Sequence, residues 1–202
     1  MQIAIVDGIA LICGGCIGRG HSGPGCTNNE FCYKYDPLAD TWSRSGAIGM
    51  HTYIGIGMQR AASDYTDSFG LAMAHEGEPL HVTQDGITFE SLANYPNPDV
   101  TMHLADDGCL VILDDKNLFL ADGGSTGTSK KAYIYNKDSN AWRAVSDMTR
   151  SRSFHSCGLV KSDSGDEVMV VGGKGSPRSI EIFSVSTETW RSGKTFAAQR
   201  TK

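Results

Sequence analysis

The sequence predicts an all-β chain built from repeats, and three observations carry that expectation. Twenty-four glycines among 202 residues punctuate short apolar runs without a three-residue period, the pattern of strands divided by turns. No window of roughly eleven or more residues carries an i, i+3, i+4 apolar stripe, so helices are not expected. An ordered set of residue types also recurs at a period of about 50 residues. The apolar fraction of 40% and charged fraction of 20% are those of an ordinary globular chain. The formal net charge of -5 disfavours a nucleic-acid coat, which needs a basic surface. No apolar run is long enough to predict a transmembrane helix. The first residues, Met-Gln-Ile-Ala-Ile-Val-Asp-Gly, lack a basic start and are interrupted by Asp7, which makes a poor secretory signal.

The repeat is legible residue by residue. The doublets Gly14-Gly15, Gly123-Gly124 and Gly172-Gly173 each close an apolar run. Trp42, Trp142 and Trp190 follow them, and seven positions before each Trp stands an aromatic: Tyr35, Tyr135 and Phe183. Between Trp42 and Gly123 lies one degenerate copy, Phe69 to Gly77, in which Glu76 replaces the first Gly and Phe89 takes the Trp slot. Four units result, at approximately 1–48, 49–96, 97–148 and 149–194, with 195–202 leading into a further unit. In the last unit the strand signals are Phe154–Lys161, Glu167–Val171, Ser179–Ser184 and Thr189–Arg191. A four-stranded repeat of about this length is a propeller blade. Gly-Gly at a strand end permits backbone angles closed to other residues and close approach of a neighbour. The Trp and Tyr side chains supply apolar area between twisted sheets, and their polar tips need partners. Asp36-Pro37 and Asn136 start the turn between third and fourth strands.

These motifs resemble the kelch repeat over nearly the whole chain, specifically in the first, third and fourth units and weakly in the second. Arg152 and His155 match the family's Arg-x-x-His start, with His155 read as a structural residue bonding a turn. The resemblance implies a kelch-type β-propeller of about four four-stranded antiparallel blades, part of a larger six- or seven-bladed ring. An open arc with exposed edges, which invites association, is the competing arrangement. The resemblance further implies a protein-protein interaction module that binds through loops on one face, with no catalytic centre and no cofactor. A galactose-oxidase-like enzyme or a carbohydrate-binding propeller is the alternative, although a Tyr–Cys cross-link with His ligands on separate blades is not legible here.

Six cysteines are present. In a kelch blade Cys13 and Cys32 fall on neighbouring strands, so a nested pairing of Cys13–Cys32 outside Cys16–Cys26 would staple one hairpin. Reduced core thiols, or a metal site using Cys13, Cys16, Cys26, Cys32 or His21, remain open readings. Cys109 and Cys157, on first strands of separate blades, are expected to be core thiols. Cys13-Gly14-Gly15 with Cys32-Tyr33-Lys34-Tyr35 resembles an extracellular invertebrate kelch subgroup, which favours an extracellular location over a cytoplasmic one.

None of the six histidines forms a His-x-x-x-His or His-Glu-x-x-His pair. His75 and His81 read as exposed loop charge beside Glu76 and Glu78. Asp106-Asp107 and Asp114-Asp115 read as solvated turns, because adjacent strand residues point to opposite faces. Gly124 to Gly127 leads into a strand and lacks the helix N-terminus of a phosphate loop.

Charge is distributed unevenly over the loops. Loops joining second to third strands, together with the links between units, are mostly basic, whereas the opposite turns are mostly acidic. The candidate binding face therefore holds Arg19, Lys130, Lys131, Arg150, Arg152, Lys174 and Arg178. Its partner would be a protein, by complementarity an acidic segment, or an anionic glycan.

Overall fold

The computed structural model describes residues 2–6, 9–13, 16–17, 27–28, 31–44, 59–62, 69, 71–74, 79–85, 87–94, 108–123, 128–162 and 165–195. The regular structure among them is entirely β. The chain divides into two compact units, Met1–Tyr95 and Pro96–Lys202.

The first unit holds two four-stranded antiparallel sheets. The first sheet runs in the order β1 (Gln2–Val6), β2 (Ile9–Cys13), β5 (Cys32–Asp36) and β6 (Thr41–Arg44), with a two-stranded ribbon, β3 (Cys16–Ile17) and β4 (Thr27–Asn28), inserted between β2 and β5. The second is the meander β7 (Gln59–Ala62), β8 (Leu71–Ala74), β9 (Pro79–Thr83) and β10 (Glu90–Asn94). Strand β1 lies beside β7. The second unit holds the meanders β11 (Cys109–Ile112), β12 (Asn117–Ala121), β13 (Ala132–Asn136), β14 (Ala141–Ala144) and β15 (Ser156–Val160), β16 (Glu167–Val171), β17 (Ile180–Ser184), β18 (Thr189–Ser192). There β11 lies beside β15. Phe154, expected at the start of β15, stands outside it because its φ of 54° belongs to the left-handed region, where a strand cannot run. Residues 196–202 lie outside the described residues.

The repeated aromatics are cross-strand partners. Tyr35 faces Trp42, Tyr135 faces Trp142 and Phe183 faces Trp190, with ring centroids 4.9, 5.3 and 5.1 Å apart. A tight turn between third and fourth strands makes the spacing of seven a direct pairing. Asp36 Oδ1 accepts from the amides of Leu38 and Ala39, and Asn136 Oδ1 from that of Ser139, the self-capping that suits these residues to turns. Each of these turns ends on a left-handed residue: Asp40 (φ 52°), Asn140 (φ 47°) and Glu188 (φ 54°).

The second sheet departs from the pattern. Val82 pairs with Glu90 and His81 with Ser91, so Phe89, assigned to the Trp slot, falls just before β10. The turn is longer, with six residues between the two strands against four in the other sheets, and Asp85 Oδ1 accepts from the Ile87 and Thr88 amides within it. Burial alone would raise the Asp85 carboxyl. The Thr88 and Ile87 amides and the Thr88 and Thr83 hydroxyls outweigh it and hold the group well below the usual carboxylate range. His81, expected in an exposed loop, is buried within β9, its Nδ1 3.2 Å from Ser91 Oγ.

The core of the second unit is the seam between its sheets. Val111, Phe119 and Ile134 of the third sheet meet Val168, Val170 and Phe183 of the fourth. Phe119 lies 4.9 Å from Phe183 and 6.0 Å from Trp190. The rim of the seam is polar: Trp190 Nε1 donates to Ser146 O at 2.7 Å, Ser146 Oγ donates to Glu188 O, and Arg143 forms a bidentate pair with Glu188.

Cys109 and Cys157, expected as separate core thiols, form a disulfide with Cα atoms 5.8 Å apart. The first strands of the two sheets lie side by side, which brings together two cysteines separated by 48 residues. Cys13 and Cys32 are directly opposed in the first sheet and form the expected disulfide. Cys16 lies in β3 opposite Asn28. Its assigned partner Cys26, and His21, lie outside the described residues. In the first sheet Leu11, Cys13 and Cys32 are buried, yet Trp42 is 55% exposed, unlike the intersheet packing expected of it.

Candidate functional site

The basic loops expected to form a binding face are brought together in the second unit by two antiparallel bridges. Ser129, before β13, pairs with Arg152, before β15, and Ser153 pairs with Lys174, between β16 and β17. Their amides and carbonyls exchange hydrogen bonds of 2.7–3.2 Å. Three loop segments thus lie side by side at one end of the unit. Met148 N donates to Lys130 O at 2.7 Å and binds the link after β14 to the same edge.

Glycine makes this approach feasible. Gly172 and Gly173 have φ of 68° and 87°, and a Cβ on Gly173 would stand 2.5 Å from Ser153 O. In this doublet Gly172 is required by its backbone angle, and Gly173 by both angle and crowding. Gly14, Gly15 and Gly124 lie outside the described residues. Gly123 is buried at the end of β12.

Arg152 overturns one assignment. The sequence places it on the binding face, but its side chain is 0% exposed. Its guanidinium donates to Gly172 O (2.7 Å), Ser179 Oγ (2.8 Å) and Glu181 Oε2 (2.6 Å). Glu181 also accepts from the Thr149 amide, the Thr149 hydroxyl and the Arg150 amide. A guanidinium presents a planar fork of donors, which suits it to satisfy several acceptors at once. Burial alone would raise the Glu181 carboxyl, but the Thr149 and Arg152 donors outweigh it and lower it. Arg152 is thus a strut inside the loop cluster. Glu181 was not singled out in the sequence, although a carboxylate between Ile180 and Ile182 in an apolar strand signals a buried partner.

His155 is buried and donates from Nε2 to Ala121 O at 3.2 Å, since a carbonyl can only accept. It ties the start of β15 to the end of β12, a strand end and not a turn. Burial first, and the Arg152 charge second, push its pKa down to about 4. The imidazole is neutral at physiological pH.

Five of the assigned cations are exposed on these loops: Lys130, Lys131, Arg150, Lys174 and Arg178. Lys131 is engaged with Asp147 at 3.0 Å. Lys130, Arg150, Lys174 and Arg178 form no ion pair among the described residues. Arg19 lies outside the described residues. Asp147 is the one exposed carboxylate on residues 128–131, 145–155 and 172–179. At the opposite end Asp114 caps the turn through Oδ1 to the Lys116 and Asn117 amides, and Asp138 engages Lys116. The end holding Lys130, Arg150, Lys174 and Arg178 can therefore present guanidinium and ammonium donors to an anion without first breaking an ion pair of these four among the described residues.

Among the described residues no group of three or more His, Cys, Asp or Glu could hold a metal ion. No helix there is long and apolar enough to cross a membrane. Compared with known proteins, the chain matches no family model and no curated protein sequence at a significant level.

Proposed function

We propose that this chain is a protein-interaction module built on kelch-type propeller blades. It binds an acidic segment of a partner protein through the loop end of the second unit. The observation that carries this reading is the set of four exposed cations, Lys130, Arg150, Lys174 and Arg178, which form no ion pair among the described residues and sit on loops tied together by a buried Arg152–Glu181 pair. Rigid presentation lowers the ordering cost of binding, and exposed like charges steer an anionic partner towards the face. Four-stranded meanders, with a Trp opposite an aromatic in three of them, support the kelch reading. The Cys13–Cys32 and Cys109–Cys157 disulfides support an oxidising, extracellular setting.

Binding of a fluorescent oligoglutamate peptide, followed by anisotropy, tests the reading. Lys130→Glu, Lys174→Glu and Arg178→Glu combined should abolish binding, whereas Lys137→Glu on the opposite turns should leave it intact. Equal binding by the triple variant would overturn the loop assignment. Capture of a sulfated oligosaccharide, with no peptide binding, would replace the acidic peptide by an anionic glycan.

A further inference from the structure

The third and fourth sheets match strand for strand in register, and this equivalence marks a face of the fourth that is only half-buried among the described residues. In the third sheet, Val111, Phe119, Ile134 and Arg143 form one row across the strands. The corresponding row of the fourth is Gly158, Met169, Ile182 and Arg191. The third sheet's row is packed into the seam, where Arg143 grips Glu188 of the following turn and Ser146 O receives the Trp190 indole. The fourth sheet packs its Trp190 side against the third, so Met169, Val171, Ile180 and Ile182 line its other face. All four are half-buried.

The complementary surface is carried by the same chain. In the first sheet, Tyr35 and Trp42 correspond by pairing to Phe183 and Trp190. Asp40 stands two residues before Trp42, as Glu188 stands two before Trp190, and both have left-handed φ. The face bearing this indole includes Ala10, Ile12, Tyr33 and Tyr35, all half-buried, with Trp42 55% exposed. Asp40 is exposed and receives the Tyr35 hydroxyl on Oδ1 at 2.8 Å, with no bond to Oδ2 among the described residues.

We propose that the Met169–Ile182 face of one molecule receives the Trp42 face of a second copy, so that the chain self-associates head to tail. Arg191 takes the part of Arg143, and Asp40 that of Glu188. The Trp42 indole donates to Lys194 O, the counterpart of Ser146 O. Arg191 already engages Glu167 at 2.7 Å, and its remaining N–H donors can serve Asp40 as well. A socket and a plug on different surfaces make the contact heterologous, and such contacts close into rings or run on as open chains. Burial of Trp42 with the aliphatic row supplies the apolar centre that stable interfaces need, and the Arg191–Asp40 pair lies at its rim.

Sedimentation velocity across a concentration series decides the matter. The wild-type chain should associate, either as a discrete dimer or as a ladder of larger species. Arg191→Asp or Asp40→Arg alone should weaken association about tenfold or more. The double variant, with both charges exchanged, should recover most of it. Trp42→Ala should weaken association strongly while lowering the thermal midpoint of the dilute protein only slightly, by the loss of its ring contact with Tyr35. A chain that remains monomeric at every concentration overturns the proposal. So does association that all three single variants leave unchanged.

Discussion

The third and fourth sheets share a strand order and a register, yet they differ in how they are buried. The third is buried on both faces: Leu110, Leu118, Leu120 and Tyr135 on one, Val111, Phe119 and Ile134 on the other. The fourth buries Val168, Val170 and Phe183 on one face and leaves Met169, Val171, Ile180 and Ile182 half-covered on the other. The residue types barely differ, since both faces of both sheets are largely aliphatic. A strand pattern therefore specifies that a face is apolar, whereas the neighbour it meets decides what that face contributes to stability.

Counterpart substitutions sharpen this contrast most. Phe119 and Met169 occupy the same place in the two sheets. Phe119→Ala should cost about 4 kcal/mol in denaturant unfolding, as for other fully buried aromatics. Met169→Ala should cost roughly 1 kcal/mol in dilute protein, because its side chain is only half removed from water. Equal costs would show that the Met169 face is as fully packed as the seam.

The disulfide across the seam is the next test. Cys109–Cys157 closes a loop of 48 residues, for which restriction of the unfolded chain contributes about 4 kcal/mol, less any native strain. The Cys13–Cys32 bridge closes 19 residues and contributes about 3 kcal/mol on the same basis. Cys109→Ala with Cys157→Ala should therefore lower the thermal midpoint of the second unit. The same pair of changes at Cys13 and Cys32 should lower the thermal midpoint of the first unit by less. The reverse order would place the stronger staple inside the first sheet.

A last test is the pH dependence that His155 confers. Its folded-state pKa of about 4 lies below the ordinary 6.5. Between those values the unfolded chain binds a proton that the folded chain refuses, so stability is full above about pH 6.5 and is lost as pH falls towards 4. The loss is on the order of 3 kcal/mol for a shift of this size. Unfolding measured at about pH 7.5 and pH 4.5 should show it, and His155→Gln should flatten that slope. Glu181, whose carboxyl is lowered, loses its contribution only at lower pH, as the carboxylate is protonated. An unchanged slope in His155→Gln would assign the acid sensitivity to carboxylates.

Much of the sheet architecture was legible because it is local. Strand alternation, turns closed by Asp36 and Asn136, and the seven-residue step that pairs Tyr135 with Trp142 all arise between adjacent strands a few residues apart. The second sheet was harder to read because a longer turn shifts the pairing, and Phe89 then misses the place its spacing suggested. The candidate site was legible in part. Lys130, Arg150, Lys174 and Arg178 are exposed as their loop positions implied, but Arg152, identical in charge and only two residues from Arg150, is buried.

What the amino-acid sequence determined by itself is the set of elements: which residues form strands, where they turn, and which aromatics face one another. Period-two side-chain alternation and turn chemistry act over a few bonds and are written into neighbouring residues. Only the tertiary structure decided which cation becomes a strut and which cysteines join. It also decided which apolar face is left half-covered. Arg152 finds Glu181 across 29 residues, and Cys109 finds Cys157 across 48. Such choices depend on which sheet edges come to lie side by side, and burial follows from that contact rather than from the residue alone.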